Sequence, residues 1–188
     1  MTKKMVIIRG SPRKNGNSAS LAKQVEYGAK SMRAETQSFY LHGMNIEPCT
    51  ACDTCREKPE VNCVIDDDMQ IIYPAVRLAE VIVIASPIYW FTVSAQTKLF
   101  MDRCYGLWEP QGYLLAGKRI GIVLSYADPD PFVSGAVNAL RTFQDMVNYV
   151  GAEIVGMVYG SARMAGEIKR NKELMESAYQ LGIRLVAD

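Results

Sequence analysis

Three stretches of this chain concentrate residue types that can do chemistry. Four of its five cysteines stand at Cys49, Cys52, Cys55 and Cys63, in the spacing C-x2-C-x2-C-x7-C with Pro48 in front. Three closely spaced thiolates and a fourth further on suit the corners of a cuboidal 4Fe-4S cluster, and the first three repeat a ferredoxin spacing. The ferredoxin pattern places its fourth Cys three residues on, whereas the gap here is seven. Two other readings therefore stay open: thiols that hold no cluster, and structural zinc, which more often uses two separated Cys pairs. An odd cysteine count bunched in this way is unlike a secreted disulfide framework and points to a reducing, cytoplasmic setting. Cys104, beside Met101 and Tyr105 in a helical pattern, reads as a small buried hydrophobe. The lone His42 argues against His-based zinc sites and Ser-His-Asp triads.

The second stretch is Gly10-Ser11-Pro12-Arg13-Lys14-Asn15-Gly16-Asn17-Ser18, between an apolar strand and a helix. Glycines let a backbone turn its N–H groups inward, Ser11, Asn17 and Ser18 can donate, the helix N-terminus favours an anion, and Arg13 supplies a fork of donors, so the stretch is expected to hold a phosphate. It is not a P-loop, which needs four residues between its glycines and a Lys before Ser or Thr; here there are five, and Asn17 precedes Ser18. The dinucleotide fingerprint fails as well, because no second glycine follows Gly10 at the required spacing. The plainer alternative is a turn with Ser18 as an N-cap. Ser86-Pro87-Ile88-Tyr89-Trp90-Phe91, the third stretch, ends in three adjacent aromatics that would suit a flat ring, against the alternative that they pack on the core or a partner subunit. Asp66 to Asp68 precede a helix and fit compensation of its dipole better than a metal site. Asp102 and Arg103 read as structural partners.

The elements that position these stretches alternate short apolar runs with longer amphipathic segments, as when parallel strands are joined by crossover helices. Strands are expected at Met5 to Arg9, Thr36 to Leu41, Val81 to Ala85, Ile120 to Leu124 and Ile154 to Tyr159. Helices are expected at Ser18 to Met32, Met69 to Ala79, Thr92 to Tyr105, Phe132 to Val150 and Glu167 to Val186. A five-stranded sheet of order 2-1-3-4-5 brings the loops after its first and third strands together, where open α/β sheets bind ligands. Two connections are long: His42 to Asp68, which holds the cysteines, and the apolar-rich Gly106 to Lys118. Loops of that length carry function or interfaces. With 188 residues, 49% hydrophobic and 22% charged, the chain reads as one domain with a sizeable core, covering 1–188 with a Cys-rich insertion at about 44–66. The formal charge of +1 offers no field for nucleic acid. No run approaches the ~20 apolar residues that span a bilayer, and Met5 to Ile8 is too brief for a signal-peptide core.

The quoted motifs, together with Asp67-Asp68-Met69, Lys98 and Asp102-Arg103, resemble the flavodoxin-like NADPH-dependent FMN reductases, and among them the iron-sulfur flavoproteins, over most of the chain. That resemblance implies a three-layer flavodoxin-like fold and an FMN-dependent oxidoreductase. It implies that Ser11, Arg13, Asn17 and Ser18 hold the FMN phosphate, that Pro87, Ile88, Tyr89, Trp90 and Phe91 contact the isoalloxazine, and that a longer gap before the fourth cysteine is compatible with a 4Fe-4S cluster. The sequence departs from the family after the fourth strand, where Ser125-Tyr126-Ala127-Asp128-Pro129 replaces a Thr-Gly turn. FMN rather than FAD is expected, since there is a single phosphate cradle. No side-chain acid or base is required, because a flavin carries the electron chemistry. NAD(P)H or ferredoxin would donate electrons and a small molecule accept them. A homodimer or homotetramer is expected from Trp90-Phe91 and the Gly106 to Lys118 loop. The competing functions are a flavodoxin-type electron carrier, disfavoured by the lack of acidic charge, and a flavin-free zinc module.

Overall fold

A computed structural model describes residues 2–187; Met1 and Asp188, the two ends of the expected domain, lie outside the described residues. The strands are β1 (Lys4–Arg9), β2 (Glu35–Tyr40), β3 (Val81–Tyr89), β4 (Thr92–Val93), β5 (Arg119–Tyr126) and β6 (Glu153–Ser161). The longer helices are α1 (Asn17–Ser31), α2 (Met69–Leu78), α3 (Ala95–Arg103), α4 (Ala136–Tyr149) and α5 (Lys172–Val186). Five parallel strands pair in the order β2-β1-β3-β5-β6, and β4 adds a sixth, antiparallel to the end of β3. This is the expected 2-1-3-4-5 order of a flavodoxin-like sheet.

The apolar runs follow from burial on both faces. Val6, Ile8, Ile82, Ile84, Ile120, Ile122 and Leu124 point to one side, under Ile72 and Val76 of α2, Phe100 of α3 and Phe143 of α4. Their neighbours Met5, Ile7, Val81, Val83, Ala85 and Val123 point to the other, under Leu21 and Val25 of α1 and Leu181 and Leu185 of α5. Strand period 2 meets helix period 3.6 on each face, which is why no strand except the edges alternates with polar residues.

Several boundaries differ from the sequence expectation, each for a local reason. β3 does not stop at Ala85 but runs to Tyr89, because Ile88 and Tyr89 find partners in Val93 and Thr92. The following helix consequently begins at Ala95 instead of Thr92, with Ser94 as N-cap accepting from the Thr97 N–H. Phe132 to Gly135 form turns before α4, and Glu167–Arg170 is a separate 3-10 turn before α5. The Gly106 to Lys118 connection is no bare apolar loop: Trp108–Glu109 and Gly112–Tyr113 form a small hairpin. That hairpin packs on the cysteine segment.

Candidate functional site

The loop after β1 is folded by its own side chains. The Arg13 N–H donates to Ser11 Oγ at 3.1 Å, and the Gly16 N–H closes a turn on the Arg13 carbonyl at 2.9 Å. From the neighbouring strand, the Tyr40 hydroxyl donates to the Pro12 carbonyl at 2.6 Å. Ser94 stitches this loop to α3, its hydroxyl donating to the Gly10 carbonyl at 2.7 Å. That approach admits only glycine, since a Cβ on residue 10 would lie 1.8 Å from Thr97 Oγ1. α1 then starts at Asn17, its N-cap Gly16 offering no side-chain cap and its first turn no acidic residue. Its first N–H groups are therefore unanswered by a side chain, the arrangement an anion completes. Ser18 in that turn is buried, 1% exposed, and its hydroxyl has no hydrogen-bond partner. An orphaned buried hydroxyl beside an uncapped helix start fits a phosphate oxygen.

A cleft of about 180 Å³ opens over this loop. Ser11, Arg13 and Asn17 line it together with Pro87, Ile88 and Tyr89, so the structure brings six of the nine expected flavin residues to one cleft. Ser125, Tyr126 and Ala127 also line it, which places the atypical segment after β5 at the site. Ala162 and Arg163, after β6, were missed by sequence reasoning; their position at a strand C-terminus was the available signal.

Two expected roles change. Asn17 does not offer its amide to the cleft: Nδ2 donates to the carbonyls of Ala162 and Met164, both at 3.0 Å, and Oδ1 accepts from the Ile168 N–H at 3.3 Å. It ties the loop after β6 to the helix start, leaving its backbone N–H for an anion. Trp90 and Phe91 stand outside the cleft. They are the two central residues of a tight hairpin turn, with φ of 49° and 69°, and the turn projects them to solvent. Trp90 is 92% exposed. Left-handed backbone at two bulky aromatics costs ~1–3 kcal/mol each, a strain that concentrates at functional sites.

The cysteines form a second site. Cys49, Cys52, Cys55 and Cys63 line one small cavity with Arg103, Tyr105 and Gly106. Left-handed backbone at Ala51 and Asp53, with φ of 52° and 56°, coils the chain between the thiols. The Ala51 N–H donates to Cys49 Sγ and the Thr54 hydroxyl to Cys52 Sγ, both at 3.5 Å. The Thr54 bond holds the Cys52 thiol below its ordinary pKa, while burial pushes Cys55 up. Among the described residues no three His, Cys, Asp or Glu side chains are gathered to hold a single ion. A zinc would need its sulfurs converged on one point at about 2.3 Å. The four cysteines line a common cavity, with an N–H donor on one sulfur and an O–H donor on another.

The segment is clamped from both ends. Arg103, 1% exposed, forms an ion pair with the fully buried carboxylate of Asp67 and donates to the Glu47 carbonyl at 2.8 Å. Burial works to raise the Asp67 pKa, but the Arg103 guanidinium and the backbone N–H groups of Glu47 and Met69 outweigh it and hold the carboxyl below its usual range. Asp67 therefore does more than compensate a helix dipole, and Arg103 pairs with it instead of with Asp102, which binds Lys98. On the far side Arg56 sits in an aromatic box, its guanidinium 3.8 Å from the Tyr105 ring, 4.8 Å from Trp108 and 5.0 Å from Tyr113. Gly106 approaches so closely that a Cβ would meet the Asn62 carbonyl oxygen at 2.7 Å. The aromatics of the 106–118 connection thus hold the cysteine segment. Cys104 is buried as expected, its thiol pushed up to about 12 by burial.

The model of the NADPH-dependent FMN reductase family matches residues 3–167. An iron-sulfur flavoprotein of Archaeoglobus fulgidus is 32% identical over 187 residues, covering 97% of this chain and 78% of its own. Another, of Methanosarcina thermophila, is 32% identical over 153 residues, covering 81% and 77%. The solved NAD(P)H:quinone oxidoreductase from Methanothermobacter marburgensis superposes with a TM-score of 0.78 at 16% identity, over 100% of this chain and 99% of its own, and shares the fold.

Proposed function

We propose, from the premise that this chain belongs to the NADPH-dependent FMN reductase family and is an FMN-dependent oxidoreductase, that its FMN sits in the cleft between the loops after β1, β3 and β5. The observation that carries this assignment is the orphaned, buried Ser18 hydroxyl at an uncapped helix start. Backbone N–H groups of the first turn of α1, with Ser11, Ser18 and the Arg13 guanidinium, take the phosphate. Pro87, Ile88 and Tyr89 face the ring from one side and Ser125 to Ala127 from another. Asn17 holds the loop of Ala162 and Arg163 in place. Bound FMN supplies the exchange between a two-electron donor, NAD(P)H, and the acceptor. The chain binds, orients and excludes water; no side-chain acid or base is assigned.

The finer reading is an iron-sulfur flavoprotein, in which Cys49, Cys52, Cys55 and Cys63 hold a 4Fe-4S cluster that supplies single-electron exchange, with ferredoxin as an alternative donor and a small molecule as acceptor. What supports it is the shared cavity of the four thiols and the name carried by the relatives at 32% identity. No helix among the described residues is long and apolar enough to cross a membrane, and the reading places the enzyme in the reducing cytoplasm. Trp90, Phe132, Val133 and Met164, exposed at 92%, 75%, 63% and 69%, support a homodimer or homotetramer closed over the cleft. We treat the 188 residues as one FMN-binding domain with its Cys-rich insertion at about 44–66.

Anaerobic purification with flavin, iron and sulfide analysis tests both levels. Stoichiometric FMN with NAD(P)H oxidation is expected, and four irons with four sulfides per chain. FMN without iron would leave the reductase and remove the cluster; a colourless protein that takes up no FMN would overturn the assignment of the cleft.

A further inference from the structure

One wall of the cysteine cavity is a cation. Arg103 lines the cavity beside the four cysteines, although its side chain is 1% exposed. Its two terminal nitrogens are taken, by Asp67 and by the Glu47 carbonyl. Its Nε is buried and has no partner among the described residues. Burying a guanidinium costs several kcal/mol unless it is paired, and an unanswered N–H adds about 1–3 kcal/mol. Asp67 answers the charge but not the Nε–H.

The pair is also oriented. The carboxylate of Asp67 is fully buried and does not line the cavity; its oxygens accept from Arg103 and from the Glu47 and Met69 N–H groups. The guanidinium is within electrostatic reach of Cys63, whereas its counter-ion does not line the cavity. The other charged residues lining the cavity are Asp53 and Asp102, and a second cation, Arg56, acts on Cys55 from the aromatic box outside it. Both carboxylates are exposed, Asp102 neutralised by Lys98 at 2.6 Å and Asp53 reached by the Tyr105 hydroxyl at 3.4 Å. Water screens them far more than it screens Arg103.

We propose that Arg103 is the buried counter-charge and hydrogen-bond donor of the anionic group the four cysteines hold, a role distinct from ligation. The proposal rests on the reading of the cysteines as a 4Fe-4S site. Four thiolates around an iron-sulfide core are anionic in both oxidation states, and one-electron reduction adds a further negative charge. A fixed cation with an unanswered N–H at the cavity favours the reduced form and raises the reduction potential. Asp67, outside the cavity lining, pulls the other way. Arg103 is a positioning and tuning residue, since the same guanidinium ties the chain before Cys49 to the chain after Cys63.

The test compares anaerobically prepared wild type with Arg103→Gln, Arg103→Lys and Asp67→Asn. It measures iron, sulfide and FMN content, and the cluster midpoint by spectroscopic redox titration. Arg103→Gln is expected to shift the reduction equilibrium about tenfold toward the oxidised form, ~59 mV for a one-electron couple. Arg103→Lys keeps the charge, loses the Nε–H and shifts it less, in the same direction. Asp67→Asn shifts it the opposite way. If Arg103→Gln does not fold, the opposed signs of Arg103→Lys and Asp67→Asn decide. Wild type without stoichiometric iron and sulfide would take down the cluster reading and this role with it. Loaded wild type with variants of unchanged midpoint, shifts of one sign only, or iron lost from both Arg103→Lys and Asp67→Asn would overturn the Arg103 role alone.

Discussion

Replacing Ser18 with Ala should stabilise the FMN-free protein and weaken FMN binding in the same experiment. The hydroxyl is 1% exposed and its oxygen has no partner, so without the cofactor it is a desolvated group with nothing in return. Such a group costs about 1–3 kcal/mol. Ala removes that cost and leaves a void of a single oxygen, and it suits the first turn of α1 slightly better than Ser. A net gain of about 1 kcal/mol in the cofactor-free state follows, or ~2–4 °C in Tm for a chain of this size. With FMN bound the sign reverses. A hydroxyl donating to a phosphate oxygen is charge-assisted and contributes about 1.5–3 kcal/mol, so Kd should rise roughly 10- to 150-fold. Thermal melts of flavin-stripped protein and titration of FMN fluorescence measure the two halves. Ser20→Ala is the control. Its hydroxyl already donates to the Gly16 carbonyl at 3.0 Å, so its loss should cost ~0.5–1.5 kcal/mol with or without FMN. A flavin-free Ser18→Ala protein that melts below wild type, with an unchanged Kd, would refute the reasoning.

Asn17→Ala removes three hydrogen bonds that tie Ala162, Met164 and Ile168 to α1; a loss of about 1–3 kcal/mol is expected for these partly exposed bonds, read in chemical denaturation and as faster hydrogen exchange at residues 162–168. Trp90→Asn places a residue that tolerates left-handed backbone where φ is 49°. Dilute protein should gain ~1 kcal/mol, while light scattering shows weaker association; an unchanged oligomer would remove Trp90 from the interface. In cluster-free native protein iodoacetamide at pH 8 should label four thiols and spare Cys104, whose thiol is fully buried and pushed up to about 12. Mass spectrometry should count the fifth only after unfolding.

Much of the architecture was legible because its causes are local or periodic. Parallel strands covered on both faces must be apolar runs, so β1, β3 and β5 announce themselves, and 2-1-3-4-5 is one of the two common orders open to such strands joined by crossover helices. The phosphate loop is a contiguous string of glycines and donors at a strand-to-helix junction, and the cysteine spacing is likewise a short-range pattern. Ser11, Arg13 and Ser18 needed nothing distant to be picked out.

The tertiary structure decided whatever depends on a partner far along the chain. Thr92 and Val93 turn back on β3, so Pro87 to Tyr89 remain strand and line the cleft while Trp90 and Phe91 are carried away from it. Aromatic composition cannot signal such a reversal, because the turn places two bulky residues where glycine or asparagine is favoured. Asn17 reads as a free donor until Ala162 and Met164 arrive to occupy it. The aromatics of the 106–118 connection read as exposed until Arg56 is seen among them. Arg103 stands 36 residues from Asp67, and only the fold shows that a desolvated cation needs that carboxylate and faces the cysteines: side-chain type sets what a group can bond, but burial and distance set what it must.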